Sequence, residues 1–361
     1  MAKQSPLSIT IRHTQPAHEK GLRMLLDLAS NWVDADISTS MLRPRRCIDL
    51  YMLETLRLKF NGKMGDFDAW EFFNTQGVTP LTFPRLRYFA AYGLPESWLL
   101  PFLSPSITSF EFHPRAALKL LQILRYLSQI PQIASLLLHG VEPSDFYLPQ
   151  NFKLPLPLPH LTSLEINRVT YPVTILSELV APSLRTLVIK DSQIPTEQPP
   201  WIPPFLHRPC RPELIPLSPF FIAWSQPKSL PVHLRSLTLS QCLGVSDVAF
   251  LIRWLARLPH LTCLGLHDDA IARAAELPPS REETNLFAAL ASPDGAGAVG
   301  GWLCPSLTRL QFSTADLQMK DILPLARARG RWSKHLNSNV PRSFLHFLDA
   351  PLCPSSVQLK R

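Results

Sequence analysis

Glycine is scarce in this chain, with 13 in 361 residues against 37 prolines. So little glycine argues against the flexible loops that cradle phosphates in many nucleotide-using enzymes. The prolines point instead to many short elements joined by stiff connections. Cysteine is thin as well. The six residues (Cys47, Cys210, Cys242, Cys263, Cys304 and Cys353) include no CxxC or CxxxxC pair, which excludes the common zinc spacings and a dense disulfide framework. Long apolar runs are missing too: none reaches 18 residues, and the start, MAKQSPLSITIRH, has no apolar signal core. The expectation is an intracellular protein, cytoplasmic or nuclear or both, with no membrane association.

Charge is modest, at 18% of residues against 46% hydrophobic, so the bulk of the chain is expected to fold. Lys and Arg total 36 against 28 Asp and Glu, a net +8. The basic residues are scattered, and their densest cluster is Arg43, Arg45 and Arg46. The balance therefore reads as a solubility feature and nucleic acid is not the expected partner. Binding to nucleic acid or another anionic surface stays as the alternative function.

What the chain does have is a repeat. "LRSLTLSQC" at 234–242 is apolar at positions 1, 4 and 6, and the same LxxLxL spacing returns in "LETLRLKFN" (53–61), "LTSLEINRV" (161–169), "LRTLVIKDS" (184–192) and "LTCLGLHDD" (261–269). "ITSFEFHPR" (107–115), "IASLLLHGV" (133–141) and "LTRLQFSTA" (307–315) carry it with Ile or Phe, and "LRYFAAYGL" (86–94) with Ala91 in the third apolar slot. Proline stands two residues before position 1 in seven of these nine copies: Pro84, Pro105, Pro131, Pro159, Pro182, Pro259 and Pro305. At that place it ends a preceding helix and delivers an extended chain into a strand. Steps between copies of 33, 21, 26, 28, 23, 50, 27 and 46 residues mostly sit in or near the range of leucine-rich repeats.

The expected fold is α/β: a leucine-rich-repeat solenoid of about nine repeats, with a curved parallel sheet on the concave side and helices on the convex side. "PRAALKLLQILRYLSQIP", "VTILSELVAP" and "SDVAFLIRWLARLPH" supply helical periodicity between strands, the last with Ser246 as its expected N-cap. Positions 4 and 6 should enter the core, as for Leu237 and Leu239, while positions 3, 5 and 7 face solvent. The organisation expected is an N-terminal cap or first-repeat region over 1–50, repeats over 51–192, a Pro-rich insertion over 193–232 outside the stack, repeats over 233–340 with an insertion at 270–304, and a tail over 341–361.

Four stretches carry a family likeness: "PLSITIRHT", "YMLETLRLKF", "CLGVSDVAFLIRWLARLPHLTCLGL" and the pair "FAALASPDG" with "LCPSLTRLQF". Through them the chain resembles the leucine-rich-repeat portion of fungal F-box proteins of the mushroom type, over most of residues 6–340. The resemblance implies the substrate-recognition part of a ubiquitin-ligase receptor, with a polypeptide or degradation substrate as partner. The "LPxEL"-like opening of an F-box does not occur here, so binding to the ligase's linker subunit is not expected.

Candidate functional residues fall on positions 3, 5 and 7. His113, His139 and His267 hold position 7; the first two belong to successive copies and could approach one another, but Asn167 follows where a third metal ligand would be needed, so no metal is expected. Hydroxyls recur at position 3 (Thr55, Ser109, Ser135, Ser163, Thr186 and Ser236) without a base or a GxSxG elbow, which reads as a ladder and not as a nucleophile. Position 5 mixes Arg57, Ala90, Glu111, Leu137, Glu165, Val188, Thr238, Gly265 and Gln311, which suits a polypeptide better than phosphates. Tyr92 is an aromatic anchor or a packing residue. Asp268 and Asp269 follow a strand, and the repeat assigns Asp269 to position 9, where it bonds loop backbone. The chain is thus expected to be non-enzymatic, without a cofactor, binding a partner through Tyr92, Glu111, His113, Leu137, His139, Glu165 and Asn167.

Overall fold

A computed structural model describes residues 5–12, 28–39, 50–60, 83–94, 99–115, 118–141, 143–145, 155–169, 172–191, 216–268, 270–271, 285–292, 302–312, 324–325, 327–328 and 346–347. The chain divides into two compact units, residues 1–161 and 162–361. Both are α/β and built on parallel strands.

In the first unit six strands lie side by side in chain order, every pair parallel: β1 Leu7–Arg12, β2 Trp32–Thr39, β3 Thr55–Phe60, β4 Tyr88–Tyr92, β5 Ser109–His113 and β6 Ser135–His139. Helix α1, Leu120–Ser128, occupies the return from β5 to β6 and buries Leu120, Ile123, Leu124, Tyr126 and Leu127. At its start the Gln122 side chain accepts the Lys119 N–H, meeting one of the needs of a helix terminus. The second unit sets β7 Ser163–Asn167, β8 Thr186–Lys190, β9 Ser236–Ser240, β10 Cys263–His267, β11 Arg309–Phe312 and β12 His346–Phe347 in parallel, again in chain order. Its return segments hold α2 Pro172–Ser177, α3 Ser218–Ala223, α4 Asp247–Leu255 and α5 Leu286–Ala291.

All nine copies of the motif enter their strand at position 3, and three backbone features recur with them. First, the N–H at position 1 bonds the carbonyl three residues earlier in every copy, from Leu53 to Leu50 through to Leu307 to Cys304. The prolines therefore sit second in a β-turn, the place that their fixed φ suits, and the strand begins at position 3. Second, the carbonyl at position 2 takes the N–H groups of positions 2 and 3 on the next strand: Glu54 from Arg87 and Tyr88, Arg185 from Arg235 and Ser236. Third, position 8 turns left-handed in five copies, at Gly93, Gly140, Arg168, Asp191 and Gln241. In four of these the position-8 N–H reaches the carbonyl at position 7 of the following strand, as Gly93 does to His113 and Gln241 to His267.

Side chains at positions 4 and 6 form the core. Leu237, Leu239, Leu164, Ile166, Leu187 and Ile189 are all 0% exposed, and each such residue stabilises the fold by roughly 1.5–3 kcal/mol. In the first unit Phe89, Phe110 and Phe112 hold three of these slots, and Phe102 packs against them from the turn before β5. Phe102, Phe89, Phe110 and Phe112 follow one another at centroid spacings of 5.5, 5.7 and 5.7 Å. In the first unit two strands lie outside the nine copies. In β2, Ala35 and Ile37 pair with Leu56 and Leu58 and are buried, with Trp32 three residues ahead. That is the same spacing with Trp and Ala in place of Leu. In β1, Ile9 and Ile11 pair with Ala35 and Ile37. The region expected to be a cap or first repeat contributes two strands to the sheet.

The Pro-rich segment at 193–232 departs from expectation where it is described. Residues 216–232 are not outside the stack: α3 packs between α2 and α4, and Phe220, Phe221 and Trp224 are fully buried. The Trp224 indole donates to the Leu176 carbonyl at 2.8 Å and that of Trp254 to the Trp224 carbonyl at 3.3 Å. The rest of the segment, 193–215, lies outside the described residues. Helix α5, within the expected insertion at 270–304, packs on α4, and Asn285 caps it by accepting the Ala288 N–H at 3.0 Å. The tail at 341–361 is described only at 346–347.

Candidate functional site

The sheet face opposite the core carries positions 3, 5 and 7, and in the first unit these side chains touch one another across all six strands. On β1, Ser8 donates to Asp34 of β2 at 3.1 Å. The other carboxylate oxygen of Asp34 pairs with Arg57 of β3 at 3.3 Å. The Arg57 guanidinium lies over the Tyr88 ring of β4, 4.9 Å from its centroid. Tyr88 donates to Glu111 of β5 at 2.6 Å, and His113 Nε2 meets the second Glu111 oxygen at 3.0 Å. The rings of Tyr92 and His113 lie 4.6 Å apart, and those of His113 and His139 of β6 stack at 4.5 Å and 25°. Strands spaced by about 4.8 Å place same-position side chains within such reach.

Glu111 is the hub. Burial pushes its carboxyl up, but hydrogen bonds from Tyr88, Tyr92 and His113 outweigh this and hold it below the usual carboxylate range. Tyr88 and Tyr92 respond in the opposite sense: burial first, then the bond to anionic Glu111, raises both phenols, so both remain neutral donors. Ala90, at position 5 of β4, is on this face yet 0% exposed, between Arg57 and Glu111 in the register. Leu137, beside Glu111 on β6, is half-buried.

Of the residues singled out in the sequence, Tyr92, Glu111, His113, Leu137 and His139 come together here. Asp34 and Tyr88, which were missed, complete the set with Arg57, which was read at position 5 but not placed in the site. Asp34 belongs to a strand without leucines, and Tyr88 holds position 3, where most copies carry a hydroxyl on a short side chain. Glu165 and Asn167 belong to the second unit. There Glu165 pairs with Lys190 of β8 at 3.1 Å, and the Asn167 side-chain oxygen is buried with no hydrogen-bond partner among the described residues. Further along, burial and then nearby Lys190 lower the pKa of His267.

Stacked faces between His113 and His139 engage the rings with each other, and among the described residues no group of three or more His, Cys, Asp or Glu is placed to hold a metal. The position-3 hydroxyls of Ser109, Ser135, Ser163, Thr186 and Ser236 make no hydrogen bonds to one another, so the ladder read from the sequence is a row of small residues and not a bonded chain. Asp268, at position 8, takes the structural part expected of Asp269, which lies outside the described residues. Its buried carboxylate accepts the N–H groups of Cys242 and Leu243, both at 2.7 Å, and of Ala270 at 3.1 Å. Asp247 similarly accepts from Ser218 and Gly244 at 2.8 Å. Ser246 precedes α4 as expected but its side chain caps nothing. Burial, then the negative charge of Asp268, drives the Cys242 thiol well above its ordinary pKa, which leaves it a packing group.

No protein-family model matches the chain, and no curated protein matches it either. No described helix is long and apolar enough to cross a membrane.

Proposed function

We propose that the chain is a leucine-rich-repeat solenoid that binds a polypeptide partner and performs no catalysis, in the manner of the substrate-recognition part of an F-box ubiquitin-ligase receptor. The observation that carries this reading is the side-chain chain from Ser8 to His139. It fixes Arg57, Tyr88, Glu111 and His113 in one arrangement before any partner arrives, so little side-chain entropy remains to be lost on binding. The surface so ordered mixes both charge signs with aromatic rings and the half-buried Leu137. That mixture resembles a protein interface, where Tyr and other large side chains anchor and charges tune specificity. Phosphate binding would call for Lys and Arg along the face, and this one has an anionic carboxylate at its centre.

The test is a peptide-display selection on the full chain, followed by binding measurements of the enriched peptide. Leu137→Asp should weaken that peptide at least tenfold, since a truncated or charged anchor typically removes more than about 1.4 kcal/mol. Equal binding to native protein and variant would move the site off this face.

A further inference from the structure

The arginines scattered in sequence gather in the fold of the second unit. Four β-turns and the strand starts they lead into, residues 181–186, 231–236, 258–263 and 304–309, form the leading edge of its sheet. They contain Arg185, Arg235 and Arg309 with His233 and His260, all exposed, and no carboxylate. Arg185 and Arg235 stand at position 2 of neighbouring strands, and the Arg235 N–H donates to the Arg185 carbonyl at 2.8 Å. Two guanidinium groups therefore leave adjacent backbones separated by the strand spacing of about 4.8 Å, an arrangement that costs free energy. The imidazoles of His233 and His260 stack beside them at 6.4 Å and 14°.

Several cations elsewhere are paired or bonded. At the other end of the same strands Lys190 pairs with Glu165, and Arg168 with Asp191. In the first unit the equivalent arginines are engaged, Arg85 with Met52 sulfur and Arg87 with the Ser106 carbonyl. On the leading edge of the second unit, none of Arg185, Arg235 and Arg309 makes a side-chain bond or ion pair within the described residues. Of the two carboxylates nearest Arg185 in sequence, Asp191 pairs with Arg168 and Glu178 is held up in pKa by burial, which disfavours its anionic form.

We propose that this edge, centred on Arg185 and Arg235 and flanked by His233, His260 and Arg309, binds an acidic polypeptide segment in extended conformation. Charge complementarity chooses the sign of the partner. The choice of polypeptide over nucleic acid rests on two facts: the edge has no Phe, Tyr or Trp on which bases could stack, and exposed Val232 lies beside His233, offering an apolar contact between the cations. An extended chain repeats each face about every 6.6 Å, close enough to the strand spacing for successive acidic residues to meet successive guanidinium groups. The edge is separate from the face proposed above for the first unit, and either assignment can fail alone.

The experiment is fluorescence anisotropy on the full chain with two labelled probes, a short peptide of alternating Glu and Ala and an oligothymidylate of equal net charge. The peptide should bind at low salt and weaken as salt rises. The double variant Arg185→Gln with Arg235→Gln should lose at least tenfold, while Arg185→Lys with Arg235→Lys stays within a few-fold and Arg125→Gln, at an exposed cation of α1, binds as native. Melting of the Gln double variant should be unchanged or raised, because an adjacent like-charge pair has been removed. Tighter binding of the oligothymidylate than of the peptide would give the edge to nucleic acid and overturn the proposal. So would no peptide binding at low salt, indifference to the Gln double variant, or a fall in its melting temperature, which would make the arginine pair structural.

Discussion

Gly93 holds position 8 of its copy with φ at 65°, and a Cβ there would meet the Phe60 carbonyl oxygen at 3.1 Å. Gln241 holds the same position at φ 49°, where an L-residue bears about 1–2 kcal/mol of strain. Gly93→Ala should thus destabilise by about 1–2 kcal/mol, whereas Gln241→Gly should leave stability level or slightly higher; chemical denaturation of both variants checks this asymmetry, and a neutral Gly93→Ala contradicts it. The polar hub makes a prediction of its own. Because hydrogen bonds hold the Glu111 pKa below its unfolded value near 4.5, its contribution to stability is complete above that value and is lost as pH falls through the lower folded one. Melting temperatures of Glu111→Gln followed from neutral to acid pH should show a shallower decline than native in that acid window. Parallel curves would mean that the carboxylate is not held as the geometry indicates. The neighbouring position pair on β9 tests register: Leu237, fully buried, should cost several kcal/mol as Leu237→Asp, while half-buried Thr238→Asp should be mild.

Single elements show how far pattern alone reaches. Copies with Leu, Ile or Phe at positions 1, 4 and 6 were legible because those residues are both the most buried and the most frequent fillers of a strand's inner face. β2 was not, since Trp32 and Ala35 fill the same volume with one large and one small side chain. The left-handed turn at position 8 escaped notice for a related reason: Gly93 and Gly140 are the usual residues for it, but Arg168, Asp191 and Gln241 are not. Helix α3 lies among prolines. Pro219 lies in its first turn, where the missing N–H is no loss, so a proline-dense stretch holds a buried helix after all. This reverses the expectation for residues 216–232: Trp224→Ala should cost about 3–5 kcal/mol and reduce cooperativity, as read by thermal unfolding. A loss within about 0.5 kcal/mol, the range of ordinary surface substitutions, would return α3 to the surface. Among the candidate contacts, sequence position brought His113 to His139, yet the bond of Tyr88 to Glu111 joins position 3 to position 5 of the next strand, a diagonal that a column-wise reading does not show.

At the scale of the whole molecule, strand repetition does one thing with two outcomes. It places the same motif position on neighbouring strands, so a residue type that recurs in register becomes a continuous surface. In the first unit the surface is a cross-bonded mixture of Tyr, His, Arg and a low-pKa carboxylate; in the second, the leading edge gathers arginines that lie 50 residues apart in sequence. A net charge of +8 is therefore distributed by the fold, and composition alone could not say where. The central claim is that the ordered face of the first unit is a polypeptide-binding surface. Its most direct test is the dissociation constant of a display-selected peptide for the native chain, for Leu137→Asp and for Tyr92→Ala, each shown to melt as native. The account predicts at least a tenfold loss in both variants, about 1.4 kcal/mol, and native-like affinities in both would contradict it.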